Sequence, residues 1–223
     1  MPNFGQEATA ILVYGGGGHG KAVIDLIRTN SLYHLAGIVD DGIPAGRVIM
    51  GLPVLGGAAA LPDIFKGGVR LAVNAVGGIN NPGVRLRVFE NLADAGFACP
   101  NLVHPSAWVE PSAILEGGVT VLALSYISSE AHIGFGTVIN AGVVVSHDCL
   151  VGKCVNLSPG ALLAGGVTVG DFAQVGMGAT INLNLTIGAG ARVSNGATVK
   201  ADVPAGVIVH AGSLWPPREM LPK

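Results

Sequence analysis

An aliphatic residue recurs at every sixth position, without interruption, through the second half of the chain. Every sixth residue from Val109 to Val199 is valine, isoleucine or leucine, sixteen positions in succession. A strict period of six is typical of a parallel β-helix, in which each hexad forms a short strand and a corner and three hexads close a coil of about eighteen residues. An ordinary half-buried sheet alternates every two residues and would not keep this phase. The spacing therefore predicts a solenoid of about five coils with the aliphatic side chains stacked inside it.

Composition argues against several classes of function. Only 12% of the residues are charged and the formal net charge is −2, so the chain lacks the basic surface that binds nucleic acid. No apolar run approaches the ~18 residues of a membrane helix, and no secretory signal is visible, so we expect a cytoplasmic protein without membrane insertion. The three cysteines form no CxxC motif, which predicts reduced thiols. Cys149 and Cys154 fall at or beside inward positions and are expected to pack in the core.

A glycine-rich turn lies near the start of the chain. The apolar segment 11–14 predicts a strand, and residues 22–27 have the apolar spacing of a helix. Between them stands the run GGGGHG, in which Gly15, Gly17 and Gly20 satisfy the pattern GxGxxG. Glycines let the backbone approach an anion closely and a helix N-terminus offers free N–H groups, so the turn predicts a phosphate site. The alternative is a tight turn that needs glycine only for its positive φ.

Two further strand ends carry polar residues or glycine. A strand over 35–39 ends at Asp40 and Asp41, about twenty residues past the glycine turn, where dinucleotide folds use an acid to bind ribose hydroxyls. A strand over 71–76 ends at Gly77, which opens a segment containing Asn80 and Asn81. Because parallel strands end at one crevice, we expect these loops to meet at a ligand. A region of about 100 residues has room for one mononucleotide half, which favours a nucleoside diphosphate over NAD.

The pattern of the sequence changes near residue 104. We predict a Rossmann-like α/β half domain over residues 1–104 and an all-β parallel β-helix over residues 105–223. The hexad pattern dissolves after Val199. The proline-rich tail that follows, with Trp215, is the expected cap of the last coil.

His147 is the histidine with the most suggestive chemical setting. It follows the inward Val145 by two residues, which puts it on a corner of the solenoid, and Asp148 is its neighbour. An imidazole beside a carboxylate can act as a general base, because the acid holds the tautomer and raises the basicity. The alternative is a solvated surface histidine beside an unrelated acid. A zinc site would need three ligands at one place, and His132 and His147 are fifteen residues apart, which is not a multiple of the coil, so we expect no metal.

Taken together, these motifs resemble one family of enzymes. The residues that carry the likeness are the turn from Tyr14 to Gly20, the pair Asp40 and Asp41, Gly77, the run His104 to Ala107, and the run His147 to Cys149 within the hexad repeat. They are similar to the PglD-like nucleotide-sugar N-acetyltransferases of bacterial glycan biosynthesis, which are related to the NeuD-type sialic acid O-acetyltransferases. The likeness spans about residues 10 to 210 and implies a left-handed solenoid, since the spacing alone does not fix the hand.

The resemblance implies a homotrimer that transfers acetyl from acetyl-CoA to the 4-amino group of a UDP- or GDP-linked 4-amino-4,6-dideoxy sugar, without a metal. In that case His147 is the general base, Asp148 raises its basicity, and the backbone N–H of Gly165, one coil further on, meets the thioester oxygen. The nucleotide sugar is expected at Gly17, Gly18, His19, Asp40, Asp41 and Gly77. Acetyl-CoA is expected in a groove between neighbouring subunits, at Asn156, Met177, Gly178, Asn195 and Gly196.

Two positions depart from the family pattern. The family often carries a second histidine nine residues after the base, and this chain has Asn156, which hydrogen-bonds but cannot exchange a proton near neutral pH. The usual Gly-x-Pro-Ala close of the solenoid is replaced by GSLWPP over residues 212–217, which puts the grip on the adenine end of CoA in question.

Three other functions stay open from the sequence. The first is O-acetylation of a sialic acid or its nucleotide form, with His147 activating a hydroxyl. The second is a non-catalytic solenoid that binds a nucleotide without acetyl-CoA turnover. The third is a γ-type carbonic anhydrase, which would require bound zinc.

Overall fold

The computed structural model describes residues 9–77 and 83–217. The chain falls into two compact units. An N-terminal unit comprises Met1–Gly77 and Arg87–Pro100, and a solenoid unit comprises Gly78–Leu86 and Asn101–Lys223. Asn80 and Asn81 lie outside the described residues. The domain limits 1–104 and 105–223 stay a prediction.

The N-terminal unit is built on a five-stranded sheet. Its elements in order are β1 (Thr9–Tyr14), α1 (Gly18–Asn30), β2 (Tyr33–Val39), β3 (Val48–Ile49), β4 (Leu52–Gly56), a 3₁₀ turn (Ala58–Ala60), α2 (Leu61–Lys66), β5 (Leu71–Asn74) and α3 (Gly83–Asp94). Helix α3 belongs to this unit only from Arg87 onward. The strand order is β3-β4-β2-β1-β5, with only β3 antiparallel to its neighbour. Strands β2, β1 and β5 therefore end side by side at one edge of the sheet, as the sequence predicts.

Helix α1 presents one apolar face. Its buried residues are Gly20, Val23, Ile24, Leu26 and Ile27. This is the spacing of a helix that buries one side and leaves the other in solvent. The helix ends at Ser31, which adopts a left-handed conformation with φ of 52°.

The solenoid unit consists of two-residue strands joined by corners. The strands are β6 to β24, at Leu102–Val103, Trp108–Val109, Ile114–Leu115, Thr120–Val121, Tyr126–Ile127, His132–Ile133, Val138–Ile139, Val144–Val145, Leu150–Val151, Asn156–Leu157, Leu162–Leu163, Thr168–Val169, Gln174–Val175, Thr180–Ile181, Thr186–Ile187, Arg192–Val193, Thr198–Val199, Ile208–Val209 and Leu214–Trp215. Val109 pairs with Ile127 one coil later, and this parallel register continues along the solenoid. From Val121 to Val199 every sixth residue is at most 4% exposed, which confirms the predicted interior.

Every third strand lies in the same sheet, so the solenoid has three faces. Face 1 begins with β6 and face 2 with β7, and each has seven strands; face 3 begins with β8 and has five. Corners join the faces along three edges, which we call edge 1–2, edge 2–3 and edge 3–1 after the faces they connect in chain order. A residue's edge therefore follows from the two strands that flank it.

The coil continues past the point where the hexad pattern dissolves. Val203, Val209 and Trp215 resume the spacing of six and pair with residues sixteen positions earlier, so the last coil is two residues shorter than the others. Val203 and Val209 are each 1% exposed, which keeps the interior filled. The expected cap is thus, up to residue 217, a shortened coil whose phase shifts between Val199 and Val203. None of the helices in the described ranges is long and apolar enough to cross a membrane.

Candidate active site

His147 and Asp148 form a hydrogen-bonded pair on edge 2–3. Nδ1 of His147 lies 2.6 Å from Oδ2 of Asp148. Asp148 adopts a φ of 58° and its N–H donates to the carbonyl of Ser129 at 3.1 Å, a corner conformation that turns its side chain back to the ring. Since a carboxylate only accepts, Nδ1 carries the proton in the neutral form of the ring, which leaves the lone pair on Nε2. The side chains are 61% and 65% exposed, so within one chain the pair is open to a substrate.

Gly165 lies directly against the ring of His147. A Cβ atom at residue 165 would be 2.5 Å from Cε1 and 2.6 Å from Nε2 of His147, so only glycine leaves room for the ring. The two coils are tied by the N–H of Gly166, which donates to the carbonyl of His147 at 3.0 Å. The N–H of Gly165 has no hydrogen-bond partner within the described ranges 9–77 and 83–217. The N–H of Gly165 and the lone pair on Nε2 of His147 thus lie close together on edge 2–3.

The other predicted acetyl-CoA residues lie on a different edge. Met177, Gly178, Asn195 and Gly196 occupy two successive corners of edge 1–2. Oδ1 of Asn195 accepts from the N–H of Met177 at 2.9 Å, and the N–H of Gly196 donates to the carbonyl of Met177 at 2.8 Å. The Met177 side chain is exposed, and a Cβ at Gly178 or Gly196 would meet nothing within 4 Å. These residues therefore form an accessible strip, but within one chain it is not the strip that carries His147.

Asn156 lies on face 1 and is almost enclosed. It is 8% exposed. Its Oδ1 accepts from Nδ2 of Asn140 at 3.3 Å and its Nδ2 donates to the hydroxyl of Ser158 at 3.1 Å. The side chain that replaces the family's second histidine is thus held in a polar network that runs toward edge 1–2, away from His147 in the same chain.

The glycine turn has a steric reason for several of its glycines. Gly15 adopts a φ of 116°, and a Cβ at Gly20 would collide with the carbonyl oxygen of Gly15. Gly17 precedes α1 without any side-chain cap, and a Cβ at Gly17 or Gly18 would meet nothing within 4 Å. The first turn of α1 therefore presents its N–H groups on an open side, as an anion site requires.

Asp40 and Asp41 already accept hydrogen bonds from donors of the protein itself. Oδ2 and Oδ1 of Asp40 accept from the N–H groups of Gly16 and Gly42 at 2.7 and 2.8 Å. Oδ2 and Oδ1 of Asp41 accept from the Tyr14 hydroxyl and the Ala58 N–H at 2.7 and 2.8 Å. Sequence reasoning missed this structural role, although Tyr14 at the end of a strand was a visible signal. Each oxygen has a second lone pair, so both carboxylates can still accept from a ligand.

The third predicted loop joins the same region. A Cβ at Gly77 would lie 3.8 Å from Cβ of His19, so the end of β5 and the start of α1 are neighbours. The loops after β1, β2 and β5 therefore meet, as the sequence predicts. Within the described ranges no group of three or more His, Cys, Asp and Glu side chains is arranged to hold a metal ion.

Comparison with known proteins identifies the family. The PglD N-terminal domain model matches residues 10–92. GDP-perosamine N-acetyltransferase from Caulobacter crescentus, solved as a histidine-to-alanine mutant with CoA and GDP-perosamine, is 37% identical, with a TM-score of 0.86 over 91% of this chain and 93% of that one. The chain belongs to the PglD-like family of nucleotide-sugar N-acetyltransferases.

Two other members agree with this assignment. The acetyltransferase domain of PglB from Neisseria gonorrhoeae, solved with acetyl coenzyme A, is 33% identical, with a TM-score of 0.82 over 93% of this chain and 98% of that one. WeeI from Acinetobacter baumannii is 30% identical, with a TM-score of 0.83 over 92% of this chain and 98% of that one. The predicted fold class, a Rossmann-like α/β half domain followed by a left-handed parallel β-helix, is confirmed. As a PglD-like enzyme, the protein is an acetyl-CoA-dependent N-acetyltransferase.

Proposed function

We propose that this PglD-like enzyme transfers acetyl from acetyl-CoA to the 4-amino group of a nucleotide-linked 4-amino-4,6-dideoxy sugar in the cytoplasm. The observation that carries the mechanism is the His147–Asp148 pair packed against Gly165. Nδ1 of His147 is 2.6 Å from the carboxylate, and Nε2 faces the position that only a glycine can occupy.

His147 acts as the general base. A sugar amine is largely protonated at neutral pH and becomes a nucleophile only after losing a proton, so a base with a pKa near neutrality is the group the reaction needs. The ammonium first loses one proton to solvent, and Nε2 takes a second proton from the nitrogen as it bonds to the thioester carbon. The carbon–sulfur bond then breaks, the sulfur leaves as the CoA thiol with the proton that Nε2 held, and the neutral amide remains. Asp148 stabilises the imidazolium that exists between the two proton transfers.

Gly165 supplies the donor for the oxygen that becomes negative. Its N–H, which has no hydrogen-bond partner among the described residues, lies on the coil that touches the base. A backbone donor fixed before the reaction stabilises a developing oxyanion without reorganisation, and one such donor contributes about 3 kcal/mol.

The N-terminal unit binds the nucleotide. Gly17, Gly18 and His19 receive the diphosphate together with Gly77, while Asp40 and Asp41 accept hydrogen bonds from the base and ribose. The open side of the glycine turn, where a Cβ at Gly17 or Gly18 would meet nothing within 4 Å, and the spare lone pairs of the two carboxylates support this assignment. The 37% identity to a GDP-perosamine enzyme makes GDP-linked amino sugars the first substrates to test, with UDP-linked sugars as the comparison.

A second copy of the chain completes the acetyl-CoA site. His147 and Gly165 lie on edge 2–3, whereas Met177, Gly178, Asn195 and Gly196 lie on edge 1–2. A groove that uses both strips is obtained when edge 2–3 of one subunit faces edge 1–2 of its neighbour. Such a contact is heterologous, and a threefold rotation closes it into a ring, so we propose a homotrimer with three equivalent grooves, to which Asn156 also contributes.

The test is acetyl-CoA thiol release with a panel of acceptors. The panel pairs each GDP- or UDP-linked 4-amino-4,6-dideoxy sugar with its 4-hydroxy counterpart and adds a sialic acid and its nucleotide form. We expect turnover with an amino sugar only, and a product whose acetyl group survives mild alkaline hydroxylamine because it is an amide. Release with a sialic acid alone, and a hydroxylamine-labile product, would refute N-acetylation in favour of O-acetylation; nucleotide binding with no release would indicate a non-catalytic protein.

A further inference from the structure

Tyr14 is a buried residue with its polar end at the carboxyl edge of the sheet. It is 2% exposed, and its ring packs in a core cluster with Leu12 and Val39. Its hydroxyl donates to Oδ2 of Asp41 at 2.7 Å. Phenylalanine would fill the same core space, so packing alone does not account for a hydroxyl at this place.

The hydroxyl sits at the centre of a wider network. Oδ1 of Asp41 accepts from the N–H of Ala58, the first residue of the 3₁₀ turn. A Cβ at Gly57 would lie 2.6 Å from that same oxygen, so the chain passes as close to the carboxylate as a backbone can. Through Asp41, Tyr14 therefore joins the end of β1, the loop after β2 and the turn after β4.

The network leaves Asp41 two positions at which it can accept further hydrogen bonds, one on each carboxylate oxygen. One lone pair on each oxygen is taken by a protein donor, and the second on each oxygen remains. Burial and the hydrogen bond to Asp41 raise the pKa of Tyr14 to about 12, so the hydroxyl stays protonated and keeps donating at any working pH.

We propose that Tyr14 is a positioning residue for the nucleotide: it holds the Asp41 carboxylate in the orientation in which its remaining lone pairs accept N–H or O–H groups of a nucleoside diphosphate. This inference rests on the proposed binding of the nucleotide by the N-terminal unit. It assigns part of the affinity for the nucleotide to a residue that acts through Asp41, while acetyl-CoA binding and the acetyl transfer step are independent of it.

The test compares Tyr14→Phe with Tyr33→Phe. Tyr33 lies at the start of β2, opposite Thr9 at the far end of β1, and serves as the matched loss of a hydroxyl. In Tyr14→Phe we expect the Kd for GDP or UDP, by calorimetry, and the KM for the nucleotide sugar to rise about tenfold, as for loss of a hydrogen bond to a charged group. The kcat and the KM for acetyl-CoA stay unchanged, and Tyr33→Phe behaves as wild type. A Tyr14→Phe enzyme with wild-type nucleotide affinity, or with kcat and both KM values altered together, would overturn the proposal.

A double variant tests whether Tyr14 acts through Asp41. In an Asp41→Ala background, Tyr14→Phe is expected to cause no further change in nucleotide Kd, because the group it positions is gone. Equal effects of Tyr14→Phe in both backgrounds would overturn the proposal. Failure of the proposed function looks different: wild type then binds neither GDP nor UDP, and the positioning role falls with it. Wild-type binding and turnover with an unaffected Tyr14→Phe would overturn this inference alone.

Discussion

Gly165→Ala is expected to displace the ring of the base, His147, without destabilising the fold. The added Cβ would lie 2.5 Å from Cε1 of His147, whereas carbon atoms in contact are about 3.5 Å apart, so the ring must withdraw by about 1 Å. A displacement of that size at a catalytic group lowers the rate on the order of 100-fold. Gly165 lies outside the left-handed φ region, so alanine adds no backbone strain, and the atoms it meets belong to an exposed side chain that can move.

Gly134→Ala is the contrasting variant. Its Cβ would lie 2.6 Å from the carbonyl carbon of Gly152, a backbone atom of the next coil that cannot withdraw. We expect it to lose about 1–3 kcal/mol of stability. Steady-state thiol release and thermal unfolding are measured on both. The reasoning fails if Gly165→Ala keeps kcat within twofold of wild type, or if its kcat falls only in step with a loss of Tm like that of Gly134→Ala.

Three further outcomes are expected. Asp148→Asn should lower kcat only about fivefold, because the asparagine oxygen can still accept from Nδ1 of His147 and only the charge that stabilises the imidazolium is lost; a 100-fold loss at neutral pH would contradict this. Mixed oligomers of His147→Ala and Met177→Trp should regain activity at about one quarter of their grooves, since such a groove takes one intact edge from each variant; no recovery on mixing would place the whole site in one subunit. The folded protein keeps the Tyr14 proton after the unfolded chain loses it, so the stability that this proton provides is present below pH 10 and lost as pH rises toward about 12. Urea titrations should therefore show the difference between wild type and Tyr14→Phe shrinking across that window, and a constant difference would count against it.

The solenoid was predictable because its cause is local and repeated. Each inward aliphatic residue stacks on its counterpart one coil away, so one phase of the sequence reports the whole interior. The sequence pattern did not reveal the last coil, because that coil is two residues shorter than the others and the phase of the repeat shifts there. Val203, Val209 and Trp215 keep the spacing of six, but they start in a different phase from Val199.

The sequence selects candidate site residues but does not give their arrangement. His147 and Asp148 are adjacent in sequence, yet only the φ of 58° at Asp148 brings the carboxylate to the ring. The set of residues also does not show which edge each one occupies. Met177 and Asn195 lie on another edge from His147, because the edge depends on a residue's position within its coil. The hydrogen bonds that engage Asp41 link residues seventeen and twenty-seven positions apart, and no local pattern encodes them.

The central claim is that His147 is the base, and the most direct measurement compares His147→Ala with His132→Ala. His132 also pairs with a carboxylate, Glu116 at 3.0 Å, but it lies in a strand of face 3 and has no role in the mechanism. With saturating acetyl-CoA and the preferred amino sugar, we expect His147→Ala to lose about 100- to 10,000-fold in kcat while CoA affinity and Tm stay unchanged. His132→Ala should keep wild-type kcat. If His147→Ala keeps kcat within a few fold of wild type, or His132→Ala loses as much, His147 is not the base.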